Sequence, residues 1–219
     1  LFSLVNRLKS MMQNNINLYQ SIRSELLNKR KQLSAKEHQK RSKALSEHFL
    51  GWFKSLEYET QLDEDFAAPK TLPARHKIRR QGLVIAAFWP YRNEPDIRAL
   101  LEELHAMGHE IILPKIVQKD APLEFYYWDP GAPLVKGHYG VLEPEPKEIG
   151  ELPDIVLVPI LGYGENGERI GYGGGYYDRT IAKWEEQEHD PLLIGALWSE
   201  ARLPADYCCL PHDKAIDGI

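Results

Sequence analysis

Cysteine is nearly absent from this chain of 219 residues: Cys208 and Cys209 are the only two. Adjacent cysteines rarely bridge to each other, so a disulfide framework is excluded and a reducing cytoplasm fits. A basic excess is also missing. Lys and Arg number 27 against 32 Asp and Glu, a net charge of −5, which argues against nucleic acid or an anionic membrane as the main partner. No run is long and apolar enough to span a bilayer. The opening LFSLVNRLKSMM is too polar, and its apolar part too short, for a signal peptide. Met11 and Met12 sit just before the first clear helix, so residues 1–15 read as an N-terminal extension. The remainder, 16–219, has the composition and length of one globular α/β domain.

The stretch from Asp154 to Ile181 organises the rest. An apolar, β-branched run, Ile155 to Ile160, enters a loop dense in glycine, and a helix is expected from Tyr176. Glycines let backbone N–H groups approach an anion, and a helix N-terminus adds partial positive charge. Arg169 stands at the loop's entrance, with Asp178 and Arg179 at its exit. A Walker A loop needs Lys-Ser or Lys-Thr after its last glycine, and neither is here. Gly162, Gly164 and Gly167 spell the dinucleotide fingerprint, but that requires a helix to open within the glycines. Four more glycines follow instead, which no helix sustains, so the fingerprint is rejected. Taken alone, the loop also fits a surface Ω-loop.

The run NGERIGYGGGYYDR resembles the signature of the 5-formyltetrahydrofolate cyclo-ligase family, whose members carry Gly-x-Arg-Leu-Gly-x-Gly-x-Gly-Tyr-Tyr-Asp after a strand. Gly167 to Asp178 match, with Ile170 in place of Leu. The resemblance spans roughly Leu18 to Ile216.

Around this loop the chain alternates helices and apolar strands. Leu18, Ile22 and Leu26 recur on one face of an expected helix from Ile16 to Leu33. Its Arg23, Lys29, Arg30 and Lys31 read as a solvated basic face. The family places a Lys and an Arg of this helix at the nucleotide; Arg23 matches the Arg, and Tyr19 stands where the Lys would be. Ser34 and Glu37 form a capping-box pattern that starts a second helix. Glu57 to Arg80, with Pro69 and Pro73, reads as a long loop.

Gly82 to Trp89 is continuously apolar, as expected of a central parallel strand covered on both faces. Glu94, Pro95 and Asp96 open a helix that reaches about Met107 and stops at Gly108. Glu110 to Pro114 is expected as a strand, Leu123 to Trp128 as an edge strand, and Gly137 to Pro146 as a turn-rich connector. Tyr176 to Gln187 is expected as a helix and Leu192 to Trp198 as a strand. His105 and His109 have metal-pair spacing, but Gly108 ends the helix between them, so they read as surface histidines.

The architecture expected is a mostly parallel sheet with helices on both faces. The resemblance implies the three-layer α/β fold shared with sugar-phosphate isomerases and CoA transferases. It also implies a cytoplasmic, monomeric enzyme that, with ATP and Mg²⁺, closes 5-formyltetrahydrofolate to 5,10-methenyltetrahydrofolate and releases ADP and phosphate. Under it, Arg169 and Tyr177 are catalytic. Arg23, Arg169, Gly171, Tyr172, Gly173, Gly174, Gly175, Tyr176 and Tyr177 bind ATP. Trp89, Glu94, Tyr172 and Tyr176 bind the folate, and Asp178 and Asp213 hold the metal. Gly164 departs from the family, which usually carries an Asp there. A non-catalytic folate- or nucleotide-binding protein, or another enzyme on the same fold, is the rival reading.

Overall fold

Val84, Ile85 and Ala86 form a short strand, β1, at the centre of a five-stranded sheet. The computed structural model describes residues 2–62, 82–145, 147–205, 207, 209, 210 and 212–219, with side chains from residue 17 to 56 and from 82 onward. In chain order the other strands are β2 (Glu110–Lys115), β3 (Glu124–Tyr127), β4 (Leu134–Lys136), β5 (Leu142–Pro144), β6 (Ile155–Pro159), β7 (Gly162–Tyr163), β8 (Arg169–Ile170) and β9 (Leu192–Ala196). The helices are α1 (Phe2–Lys31), α2 (Ala35–Leu62), α3 (Arg98–Ala106) and α4 (Tyr176–Glu186). The sheet runs β3-β2-β1-β6-β9, parallel except for β3, which pairs antiparallel to β2 at one edge.

Successive side chains of a strand point to opposite faces, and here both faces are buried. Val84, Ala86, Ile112, Val156 and Val158 join one core with Tyr19 and Leu26 of α1 and Ile181 and Trp184 of α4. Ile85, Ala87, Ile111, Leu113, Ile155 and Leu157 join the other with Phe49 and Phe53 of α2 and Leu100, Leu101 and Leu104 of α3. This is the three-layer arrangement that the unbroken apolar runs imply. No described helix is long and apolar enough to cross a membrane.

Several local expectations need correcting. α1 begins at Phe2, well before the expected start at Ile16. Its inward face is Tyr19, Leu26 and Arg30, while Leu18 is exposed. α2 continues to Leu62, so the expected loop starts later than Glu57; residues 63–81, with Pro69 and Pro73, lie outside the described residues. Half of the capping box forms: Glu37 N donates to Ser34 Oγ at 3.2 Å, but the Glu37 carboxylate turns to Arg41. α3 starts at Arg98, which leaves Glu94 in the preceding loop. Gly108, at φ +92, ends α3 as expected. His109, however, is buried against the Phe53 ring rather than on the surface. Cys209 is a free thiol; Cys208 lies outside the described residues.

Candidate functional site

From β1 the chain passes through α3 to β2, on one side; from β6 it passes through α4 to β9, on the other. The carboxyl ends of β1 and β6 are therefore neighbours whose connections diverge, the position where open α/β sheets bind ligands. The loop after β1 carries Trp89 and Glu94, and the loop after β6 carries the glycines.

The first glycines do not wrap a helix. They build the hairpin β7–β8, in which Gly162 pairs with Ile170 and Tyr163 with Arg169. Gly167, at φ +83, forms its turn, and a Cβ there would lie 2.4 Å from the Ile216 carbonyl oxygen. Ile216 N donates to Gly167 O, so the C-terminal segment is laid across the hairpin.

The second glycine group crosses α1. Arg23 Nε donates to Gly171 O at 3.0 Å. Gly173, at φ +90, leaves 3.3 Å between its notional Cβ and the Arg23 guanidinium carbon, so the cation packs directly against the loop. Among the described residues no side chain caps α4, whose first turn follows Gly175. Its leading N–H groups and Arg23 together favour an anion at this end of the helix. Tyr176 packs beneath the Arg179 guanidinium and meets the Tyr139 hydroxyl at 3.4 Å.

Across the switch point lies Glu94, 5% exposed. Its Oε2 accepts from Tyr91 N at 2.8 Å, and its Oε1 accepts from the Tyr172 hydroxyl at 2.5 Å. Burial pushes the Glu94 carboxyl above its ordinary range, and the bond from Tyr172 partly opposes that. Burial, then the Glu94 charge, push the Tyr172 phenol up in turn. The Tyr177 hydroxyl is buried with no hydrogen-bond partner among the described residues, and burial raises its phenol strongly.

Arg169 is not an open cation at the loop's entrance, as its sequence position suggested. It is 6% exposed, and its Nη2 donates to Asp178 Oδ1 at 2.5 Å. Its Nε is buried without a partner among the described residues. Asp178 Oδ1 also accepts from Lys214 N at 3.1 Å, which brings the neighbouring Asp213 to the same corner. Asp213 Oδ2 accepts from Leu210 N at 2.8 Å. No group of three or more His, Cys, Asp or Glu is poised for a metal among the described residues. A pair of carboxylates, each with one oxygen outside these bonds, still fits Mg²⁺, which usually takes one or two and fills its shell with water and phosphate.

Of the other expected residues, Trp89 packs its ring on Trp128 at 5.6 Å. Gly164 does not take a left-handed conformation. The Glu168 carboxylate, held by Asn166, lies where its side chain would begin, 2.4 Å from a notional Cβ. Arg30 is the residue that the sequence reading missed. It is 4% exposed, and it donates to the Tyr172 hydroxyl at 2.6 Å and to Ile160 O at 2.8 Å. Its signal was available: Arg30 is four residues from Leu26 and seven from Arg23, on the helix face turned inward.

Comparison with known proteins gives one family. The sequence model of the "5-formyltetrahydrofolate cyclo-ligase family" matches residues 15–219. A Mycolicibacterium smegmatis protein named 5-formyltetrahydrofolate cyclo-ligase is 36% identical over 114 residues, 48% of this chain and 57% of the relative. The Escherichia coli K12 protein of the same name is 31% identical over 113 residues, 49% of this chain and 62% of the relative. These matches thus span less than two thirds of either relative. The solved 5,10-methenyltetrahydrofolate synthetase of Aquifex aeolicus superposes with a TM-score of 0.61 at 25% identity, covering 91% of this chain and 92% of that one. A Mycoplasma pneumoniae 5,10-methenyltetrahydrofolate synthetase shares the fold, with a TM-score of 0.61 at 19% identity and coverage of 91% and 96%.

Proposed function

We propose a reaction from one premise: the chain belongs to the 5-formyltetrahydrofolate cyclo-ligase family. It closes 5-formyltetrahydrofolate to 5,10-methenyltetrahydrofolate, converting ATP to ADP and phosphate. The observation that carries this reading is the pairing, across one switch point, of a glycine loop seated on Arg23 with the buried carboxylate of Glu94.

A formamide oxygen is a poor leaving group. The γ-phosphoryl group of ATP moves to that oxygen and ADP departs; N10 of the same folate attacks the formyl carbon and gives up its proton, and phosphate leaves with the oxygen. Such chemistry needs positioning and charge neutralisation more than a protein nucleophile. Arg23, the loop amides and the uncapped start of α4 hold the phosphates. Glu94, with one lone-pair position left on each oxygen, accepts from the donor groups of a pterin ring. Trp89, Tyr172 and Tyr176 supply aromatic walls. Arg169 and Tyr177 each hold a buried N–H or O–H donor without a partner among the described residues, suited to the transferring group. Asp178 and Asp213 would hold Mg²⁺, whose charge neutralises the phosphates.

The experiment is incubation of the purified protein with 5-formyltetrahydrofolate and Mg-ATP while the methenyl chromophore is followed. Product is expected only when ATP and Mg²⁺ are both present. Folate and ATP binding without turnover would replace this reading with a non-catalytic binding protein.

A further inference from the structure

A buried arginine is costly unless something answers its charge. Arg30 is buried, and its side chain meets two neutral groups, the Tyr172 hydroxyl and the Ile160 carbonyl. An answering charge lies one hydroxyl further on. The same Tyr172 oxygen that accepts from Arg30 at 2.6 Å donates to Glu94 Oε1 at 2.5 Å. Arg30 and Glu94 thus form an ion pair with a phenol between them. Tyr172 stays 37% exposed while both functions of its hydroxyl are used inside.

We propose that Arg30 is a positioning residue for substrate recognition, and that through the Tyr172 hydroxyl it fixes both the Glu94 carboxylate and the Tyr172 ring against a heteroaromatic substrate. The proposal rests on the folate reading of the site. Ile160 O anchors Arg30 to the end of β6, so the relay ties α1, the glycine loop and the loop after β1 to one geometry. An oxygen that receives a bond from a cation donates its own proton more strongly, so Tyr172 holds Glu94 more firmly than an isolated phenol would. Each Glu94 oxygen keeps capacity for one further donor, so the relay orients the carboxylate without filling it.

Arg30 also favours the charged form of Glu94, against the burial that raises its carboxyl. The groups facing Glu94 are Arg30 from α1, Tyr172 from the glycine loop, the Tyr177 hydroxyl from α4, and Arg92 with the Tyr91 amide from its own loop. His38 of α2 meets the Glu94 backbone carbonyl at 2.8 Å. Burial works against ionisation, and Arg30 and Arg92 work for it. Removing Arg30 therefore raises the pH at which Glu94 loses its proton.

The test compares wild type with Arg30→Met, Arg30→Lys, Tyr172→Phe and the double variant Arg30→Met/Tyr172→Phe. Binding of 5-formyltetrahydrofolate is measured against pH without ATP, and KM for folate and for ATP separately. Arg30→Met and Tyr172→Phe should each weaken folate binding about tenfold or more, the range for bonds to a charged group. ATP KM should change much less than folate KM, the acid limb of folate binding should move to higher pH, and the double variant should be no worse than Arg30→Met. Arg30→Lys should fall between, because it keeps the charge but loses the fork. Tyr172→Phe deletes one oxygen, so it reads the relay even if Arg30→Met does not fold. Folded variants with an unmoved acid limb, or with equal losses for both substrates, overturn the proposal while wild-type turnover keeps the folate reading. A wild type that does not bind folate overturns both.

Discussion

Lys214 N lies 3.1 Å from Asp178 Oδ1, and that bond ties the C-terminal segment to the first turn of α4. Asp213 is thereby delivered to the corner where Arg169 and Asp178 are paired. The two carboxylates proposed for Mg²⁺ come from distant parts of the chain, and one backbone amide joins them.

Asp213→Asn tests that corner. The amide oxygen can still accept from Leu210 N, so the fold should hold. The Mg²⁺ concentration for half-maximal turnover should rise about tenfold or more, because a hard cation loses an anionic ligand. A magnesium titration of both proteins decides it, and an unchanged midpoint removes Asp213 from the metal site.

Arg169→Ala should cost both activity and stability. Turnover should fall on the order of a hundredfold or more if Arg169 serves the transferring phosphoryl group. Its side chain and that of Asp178 are 5% and 18% exposed, so an unpaired carboxylate remains and unfolding should be easier by about 3–5 kcal/mol. Denaturant unfolding beside kinetics separates the two losses. Arg169→Lys should recover stability better than rate, since lysine lacks the planar fork.

Glu94 sets two pH dependences of opposite sense. Its folded-state carboxyl is raised above the ordinary 4.5 by burial. Its contribution to stability is therefore complete below about 4.5 and is lost as pH rises through the raised value. Folate binding, which needs the carboxylate, should instead strengthen as pH rises through that value. Glu94→Gln should flatten both dependences and weaken folate affinity by about 1–3 kcal/mol, with ATP affinity unchanged. Thermal unfolding and calorimetry across pH 4 to 8 read the two trends. Parallel profiles for wild type and Gln would return Glu94 to a plain loop role.

Gly164→Asp should displace the Glu168 carboxylate from its Asn166 bonds, since the new Cβ would stand 2.4 Å from it. Both groups are at the exposed hairpin end, so stability should change by about 1 kcal/mol or less. The magnesium midpoint should move only modestly. A large gain in turnover would show that the absent carboxylate limits this protein.

Much of the architecture was legible because burial leaves a local pattern. Gly82 to Trp89 and Ile155 to Ile160 read as buried strands; β6 fills most of the second, β1 only Val84–Ala86 of the first, and both lie in the sheet between two cores. Gly167, Gly173 and Gly175 could be read as loop glycines, and each takes a positive φ. The conflict between seven glycines and a dinucleotide helix was also readable, and a hairpin stands there. These properties follow from spacing along the chain, so the amino-acid order determined them.

The partners of the charged side chains did not follow. Arg30 sits among other basic residues and looks solvated, yet its hydroxyl partner is 142 positions away. Arg169 and Asp178 looked like separate tools, one for phosphate and one for metal, but the turn from β8 into α4 closes them into one pair. Leu18 and Tyr19 both fit helical spacing, and only packing against the sheet and Tyr207 decided that Tyr19 faces inward. A periodic pattern states that a face is buried. Which distant group answers a charge on that face depends on how strands, loop and helix converge, and only the tertiary structure decided that.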